Sequence, residues 1–132
     1  MEWNITAGRP VYLQLIEQLE LAIVTGTYPA GTRMPPVRDL AAGAGVNPNT
    51  MQRALQELET RGLLQTQRTA GRSVTADKAL LNEVRRERAL ALVQAFLHQM
   101  QTMGYTPDQV DALLHTPKAP QSKGENEYGN PV

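Results

Sequence analysis

The segment from Val46 to Leu58 constrains the fold most, because at helical spacing it carries two faces that suit different environments. One face repeats apolar residues at i, i+3, i+4 and i+7, which suits a protein core. These residues are Met51, Ala54, Leu55 and Leu58. The other face has no carboxylate and consists of Asn49, Gln52, Arg53 and Gln56. Amides, a guanidinium and a helix N-terminus suit phosphates and base edges, so the pattern predicts a DNA recognition helix. An ordinary amphipathic helix that lacks acids by chance is the alternative.

Capping residues and apolar spacing place this helix third in a series. A first helix is predicted over about residues 10–25, with proline at its start and Gly26 after its end. Pro35-Pro36 opens a second helix that ends by Gly45. The third helix has Asn47 as its N-cap and Pro48 at its first position, and it continues to about Arg61. Two helices joined by a short glycine-containing turn form a helix-turn-helix.

Short strand candidates surround these helices. Residues 32–34 suit a very short strand, and residues 63–66 and 73–75 suit the two arms of a β-hairpin whose tip carries arginines. The order of helix, short strand, two helices and hairpin is that of a winged helix. The predicted fold is therefore mainly α with a small β-hairpin, with a winged helix-turn-helix domain over residues 9–76 and a C-terminal helical dimerisation region after it.

The C-terminal region, residues 77–115, is predicted to contain a long helix over about 77–103 and a short one after the capping-box pattern at Thr106. Apolar residues of the long helix occupy more than one stripe, so a second copy of the chain is expected to cover them. The predicted dimerisation residues are Leu81, Val84, Leu92, Val93, Phe96, Leu97 and Met100. Residues 116–132 offer almost nothing apolar to bury, and disorder is predicted there.

Charge is balanced over the chain but uneven along it. The 132 residues include 13 basic and 13 acidic side chains, yet residues 33–72 carry six arginines against three acidic residues, a net charge of +3. A basic segment in a neutral chain fits a local contact with a polyanion.

Other kinds of site find little support. Without cysteine the chain forms no disulfide or thiolate zinc site, and no apolar run approaches the roughly 20 residues of a membrane span. His98 and His115 are isolated, and no phosphate loop or activated nucleophile is visible, so neither an enzyme nor a cofactor is expected. A cytoplasmic location without membrane contact is the expectation.

Several separated motifs follow one another in a known order. They are residues 10–15, 26–35, 37–41, 46–50 and 54–63. Together they resemble the DNA-binding domain of GntR-type bacterial transcription regulators, over about residues 9–76. The short remainder resembles the YtrA-type subfamily, in which C-terminal helices serve dimerisation. Residues 69–74 lack one glycine and the aromatic of the family's hairpin, and Pro36 stands where many relatives have serine.

The resemblance implies a regulator, most often a repressor, that binds a pseudo-palindromic operator in double-stranded DNA as a homodimer. It implies that Arg38 contacts a base, with an ion pair to Asp39 or Glu57 as the alternative. The groove-entering residues would be Asn47, Asn49, Thr50, Gln52 and Arg53. Further candidates are Arg33, Arg68, Gly71 and Arg72, of which Arg68 and Arg72 could equally be solvated charges.

A winged helix that binds proteins instead of DNA is the alternative function. The residues do not identify a small-molecule effector.

Overall fold

The computed structural model describes residues 1–117, and most of the predicted disordered tail, 116–132, lies outside the described residues. The chain forms two compact units, Met1–Leu90 and a second unit that begins at Ala91. The elements are α1 (Val11–Val24), α2 (Val37–Ala44), α3 (Pro48–Thr60), β1 (Leu64–Gln67), β2 (Gly71–Val74), α4 (Lys78–Thr102) and α5 (Pro107–Leu114). The predicted fold class is confirmed.

The core of the first unit lies mainly between α1 and α3. The largest fully buried side chains are Leu15, Leu19, Ile23, Met51, Leu55, Leu58, Leu63 and Val74. Burying one such aliphatic side chain contributes about 1.5–3 kcal/mol, so the apolar face of α3 is a main source of stability. Because that face is buried, the polar face of the same helix is fixed outward.

The turn between α2 and α3 keeps the two helices of the helix-turn-helix close in sequence. Gly45 ends α2 with a positive φ of 70°, and its N–H donates to the Ala42 carbonyl at 3.2 Å. The Val46 N–H then donates to the Ala41 carbonyl at 3.0 Å. Glycine adopts this left-handed conformation without strain, which allows the chain to change direction within the three residues between α2 and α3.

The two strands form an antiparallel hairpin, which we call the wing. Leu64 pairs with Val74, and Gln67 pairs with Gly71 at the tip. The predicted short strand is present as a single bridge between Arg33 and Ser73 on the other side of β2. The wing is therefore attached along β2 to the segment that precedes α2.

Residues 1–8, for which no element was predicted, form an N-terminal strap. Trp3 and Ile5 pack against the core. Gln14, only 2% exposed, accepts the Thr6 N–H at 2.8 Å and donates to the Thr6 carbonyl at 2.8 Å. Gln18 holds the backbone of Asn4 in the same two-way manner, at 2.9 and 2.7 Å. Two glutamines one helical turn apart thus attach the strap to α1.

The first part of α4 belongs to the same unit. Leu81 is 7% exposed and lies in the core, with Leu80 and Val84 half-buried beside it. The prediction that Leu81 faces a second copy of the chain is wrong. Only three residues separate α4 from β2, so the first turns of α4 cover the core of their own chain. The apolar residues that remain exposed lie further along the helix.

A single carboxylate joins three helices of this unit. Glu20 of α1 is 2.9 Å from Arg88 of α4 and 3.3 Å from Arg61 at the end of α3. Arg61 also pairs with Glu57 at 2.9 Å. Burial lowers the pKa of Arg61, but the hydrogen bond and charge of Glu57, together with Glu20, outweigh it, and the pKa is raised. This Glu20 junction keeps its charges compensated.

The second unit contains the remainder of α4 and α5. Thr106 accepts the Gln109 N–H at 3.2 Å, and the Gln109 side chain accepts the Thr106 N–H at 2.9 Å, so the predicted capping box is confirmed. Val110 is buried, whereas Leu92 is 74% and Val93 50% exposed. Within residues 1–117, no helix has the length and apolar character required to cross a bilayer.

Candidate nucleic-acid interface

The start of α3 is organised by its cap. The side-chain oxygen of Asn47 accepts the Asn49 N–H at 2.7 Å, and Pro48 at the next position has no N–H to satisfy. The side-chain oxygen of Asn47 therefore forms its hydrogen bond within the helix, and the side-chain NH2 group of Asn47 is left for an outside partner. Asn49 is exposed and Thr50 half-buried at the same end, where the helix dipole favours anionic groups such as phosphates.

Arg38 lies in the first turn of α2, beside the start of α3. It is exposed and lines a shallow groove together with Pro36, Asp39 and Pro48. The ion pairs formed within residues 1–117 do not include Arg38, and Glu57, a predicted alternative partner, binds Arg61 instead. The guanidinium is thus available to a ligand at the N-terminal end of α3.

Arg53 is held by an aromatic ring. Its guanidinium carbon lies 4.4 Å from the centroid of the Tyr12 ring, which is itself half-buried against the core. Such a contact contributes about 0.5–1 kcal/mol at an exposed site and restricts the side chain. Sequence reasoning missed Tyr12 as part of the site; the signal was an aromatic residue in the first turn of α1.

Arg72, a candidate for DNA contact, is bound inside the protein. Its Nε donates to Oε1 of Glu59 at 3.0 Å, and its Nη1 donates to Oε1 of Gln52 at 3.3 Å. The Glu59 carboxylate also accepts the Thr66 hydroxyl. The Arg72 side chain is 14% exposed, so it is not the solvated charge of the alternative interpretation. It connects the wing to α3.

Three further candidates, Arg33, Arg68 and Gly71, lie on and beside the wing. The Arg33 and Arg68 side chains are exposed, Arg68 at the hairpin tip. Gly71 has a positive φ of 73° with open space around its α-carbon, which allows a close approach of backbone to a ligand. A groove of about 320 Å³ between α3 and the wing is lined by Arg33, Gln52, Gly71 and Arg72 among others.

The arginines of the basic segment thus divide into two groups. Arg61 and Arg72 pair with acidic residues of α3's C-terminal half. The ion pairs of the described chain include none of the other four, which are Arg33, Arg38, Arg53 and Arg68. Because the acidic residues near the C-terminal end of α3 neutralise Arg61 and Arg72, the net positive charge of the segment lies on the four exposed arginines. We call these four arginines with Asn47, Asn49, Thr50 and Gln52 the recognition surface.

A helix-turn-helix, a hairpin wing and an outward helix face without carboxylates define the class of winged-helix DNA-binding proteins. Residues 11–74 match the family model described as bacterial regulatory proteins, gntR family. The chain is similar to a GntR family transcriptional regulator from Listeria monocytogenes, with 34% identity and a TM-score of 0.78 over 83% of this chain and 96% of that one. This protein belongs to the GntR family of transcription regulators.

Two curated relatives from Bacillus subtilis (strain 168) agree. The uncharacterized HTH-type transcriptional regulator YhcF is 28% identical over 110 residues, which are 83% of this chain and 91% of YhcF. The HTH-type transcriptional repressor YtrA is 37% identical over 65 residues, 49% of this chain and 50% of YtrA. The predicted resemblance to YtrA-like members is confirmed. Members of this family are transcription regulators and not enzymes, as the sequence predicted.

Proposed function

We propose that this protein represses transcription by binding a pseudo-palindromic operator as a homodimer. The observation that carries the proposal is the recognition surface: four exposed arginines outside the ion pairs of residues 1–117 accompany a helix end with exposed amides. A winged helix that only bound proteins would have no reason to keep its outer face free of carboxylates. Phosphate binding does require it, since a carboxylate there would repel the DNA backbone.

Dimerisation is supported by the second unit. Leu92, Val93, Phe96 and Leu97 are 40–74% exposed, and their spacing places them on neighbouring positions of α4. We call these four residues the apolar patch. A second copy that offers the same patch is the commonest way to bury such a surface. Two copies of the winged helix then require two half-sites related by symmetry, as in a pseudo-palindrome.

Repression and location follow from the same DNA contact. YtrA, which shares the DNA-binding region with this chain, carries the name of a repressor. A dimer that occupies both half-sites excludes other proteins from the DNA it covers. Because the target is chromosomal DNA, the protein acts in the cytoplasm.

A mobility shift with duplex DNA from upstream of the protein's own gene tests this function. The affinity should exceed that for a scrambled duplex and should fall with salt, with a log-log slope of roughly −0.9 for each phosphate neutralised. Affinity for the upstream DNA that does not change with salt, or that equals affinity for the scrambled duplex, would contradict the proposal. A duplex cut to one half-site serves as the control for two-fold binding.

A further inference from the structure

The contact between Gln52 of α3 and Arg72 of the wing decides which atoms Gln52 offers to a ligand. Nη1 of Arg72 lies 3.3 Å from Oε1 of Gln52. A guanidinium carries only hydrogen-bond donors, so the Gln52 atom that faces Arg72 has to be the amide oxygen. The Gln52 amine, with its two N–H donors, therefore points away from Arg72.

Arg72 cannot easily follow Gln52 into another orientation, because it is fixed on its other side. Glu59 accepts Arg72 Nε at 3.0 Å, and the second Glu59 oxygen accepts the Thr66 hydroxyl. The Arg72 and Glu59 side chains are 14% and 24% exposed, so solvent screens the pair less than it screens a surface ion pair. α3, β1 and β2 together hold the guanidinium, and the guanidinium in turn orients the Gln52 amide.

We propose that Arg72 is a positioning residue that sets the base preference of Gln52, so that Gln52 selects guanine or thymine and rejects adenine at one operator position. The inference rests on the proposed DNA-binding function. In the major groove guanine presents the O6 and N7 acceptors and thymine presents O4. The outward amine of Gln52 can donate to each of these atoms.

Adenine fits this arrangement poorly. Its bidentate pairing with glutamine needs the amide oxygen to accept from the adenine N6 amine while the amide nitrogen donates to N7. Here Arg72 occupies one of the two lone pairs of that oxygen and keeps the oxygen turned toward the wing. The positive charge beside that oxygen also repels the N6 amine, whereas it attracts the O6 of guanine.

Asn49 provides a comparison on the same helix. It is exposed, and the hydrogen bonds of the described residues involve its backbone N–H but not its side-chain amide. Its amide can turn to present either the oxygen or the amine. Asn49 is therefore free to pair bidentately with adenine, and of these two side chains only Gln52 is restricted to acceptor edges.

The test is an in vitro selection of binding sites from a random duplex library with the full chain. Gln52→Ala identifies the relevant position as the one where base preference disappears. At that position the unaltered protein should prefer guanine or thymine to adenine by about tenfold. The double variant Arg72→Leu with Glu59→Gln removes the guanidinium and neutralises the carboxylate that would otherwise be left unpaired. In this variant the preference should fall to about twofold or turn toward adenine.

Arg68→Leu is the matched control, because it removes the same charge from the exposed tip of the same hairpin. It should weaken DNA binding and leave the base preference at the Gln52 position unchanged. Glu59→Gln alone loosens the anchor but keeps Arg72, and an intermediate preference is expected. The base preference of this variant also tests the inference if the double variant fails to fold.

Two results would overturn the inference while DNA binding stands. One is selection of adenine by the unaltered protein at the Gln52 position, and the other is a preference that persists in the double variant and in Glu59→Gln. If Arg72 only stabilised the fold, its loss would lower affinity for all sequences equally. Failure of the unaltered protein to enrich any sequence would overturn the proposed function as well.

Discussion

α3 and the second part of α4, residues 91–102, carry similar apolar residues, but only α3 buries them within its own chain. Met51, Leu55 and Leu58 of α3 are 0–1% exposed, while Leu92 and Val93 of α4 are 74% and 50% exposed. The hydrophobic periodicity of a helix therefore does not show which surface covers its apolar face. The comparison predicts that changes in α3 affect folding, whereas changes in the apolar patch affect assembly.

The largest expected effect comes from charge placed in the apolar patch. Leu97→Glu should convert dimers into monomers, because a carboxylate would have to be buried between the copies. Operator affinity should fall on the order of 100-fold or more, since the second half-site contact is no longer tethered to the first. Sedimentation velocity measures the association state, and a mobility shift measures the affinity.

Leu21→Glu is the control for this change, because Leu21 in α1 is 47% exposed and Leu97 is 40% exposed. It adds the same charge at a similar exposure outside the apolar patch, and the dimer should persist. A Leu97→Glu protein that sediments as a dimer would place the interface elsewhere.

Truncation of one buried and one exposed leucine tests the comparison directly. Leu58→Ala should lower the free energy of unfolding by about 2–5 kcal/mol, because it leaves a cavity in the core. Leu92→Ala should cost less than about 0.5 kcal/mol. Both changes are made in the Leu97→Glu background, so that assembly does not contribute, and are measured by urea denaturation. If both truncations lowered the free energy of unfolding equally, Leu58 and Leu92 would not differ in burial.

Arg38→Ala separates DNA recognition from folding. Loss of a base contact should reduce specific affinity by about 1–3 kcal/mol, while thermal stability stays unchanged because the ion pairs of residues 1–117 do not involve Arg38. Arg61→Ala is the contrasting variant, since Arg61 is paired with Glu57 and Glu20. It should lower stability more than it lowers specificity. If Arg38→Ala lowered the affinity for specific and random DNA equally, Arg38 would contact only the phosphate backbone of the DNA.

The smallest expected effect concerns the two helix caps. Asn47→Ala removes the cap of α3 and Thr106→Ala that of α5, and each should cost about 1 kcal/mol of local stability. Asn47→Asp should keep the cap but reduce DNA affinity, because a negative charge would face phosphates. Hydrogen exchange of the first-turn amides measures the caps. An affinity that Asn47→Asp leaves unchanged would remove Asn47 from the recognition surface.

Features specified by neighbouring residues could be predicted from the sequence. Asn47 before Pro48 marked the start of α3, and the pattern from Thr106 to Gln109 marked the capping box of α5, both of which the structure contains. Each signal depends on residues within one helical turn, where backbone geometry alone decides the contact. The same holds for the hairpin, whose arms follow closely in the chain.

Contacts between distant parts of the chain could not be predicted in this way. Glu59 and Arg72 are 13 residues apart, and the cation–π contact joins Tyr12 of α1 to Arg53 of α3. Leu81 belonged to a correct helical pattern, yet periodicity did not show that the core of its own chain covers it. Residue type and spacing were therefore sufficient to find the candidate residues on α3 and the wing. Their partners within the protein became visible only in the folded structure.

The Glu20 junction has a consequence for the order in which parts of the chain open. It ties α4 near Arg88 to α1 and to the end of α3, whereas the compact unit it belongs to ends at Leu90. Local unfolding proceeds in cooperative units, and we expect the boundary between the two compact units, which falls inside α4, to separate two of them. Backbone amides between Leu81 and Arg88 should exchange with solvent only when the whole first unit opens. Those beyond Ala91 should exchange through smaller openings, so one helix would show two protection levels.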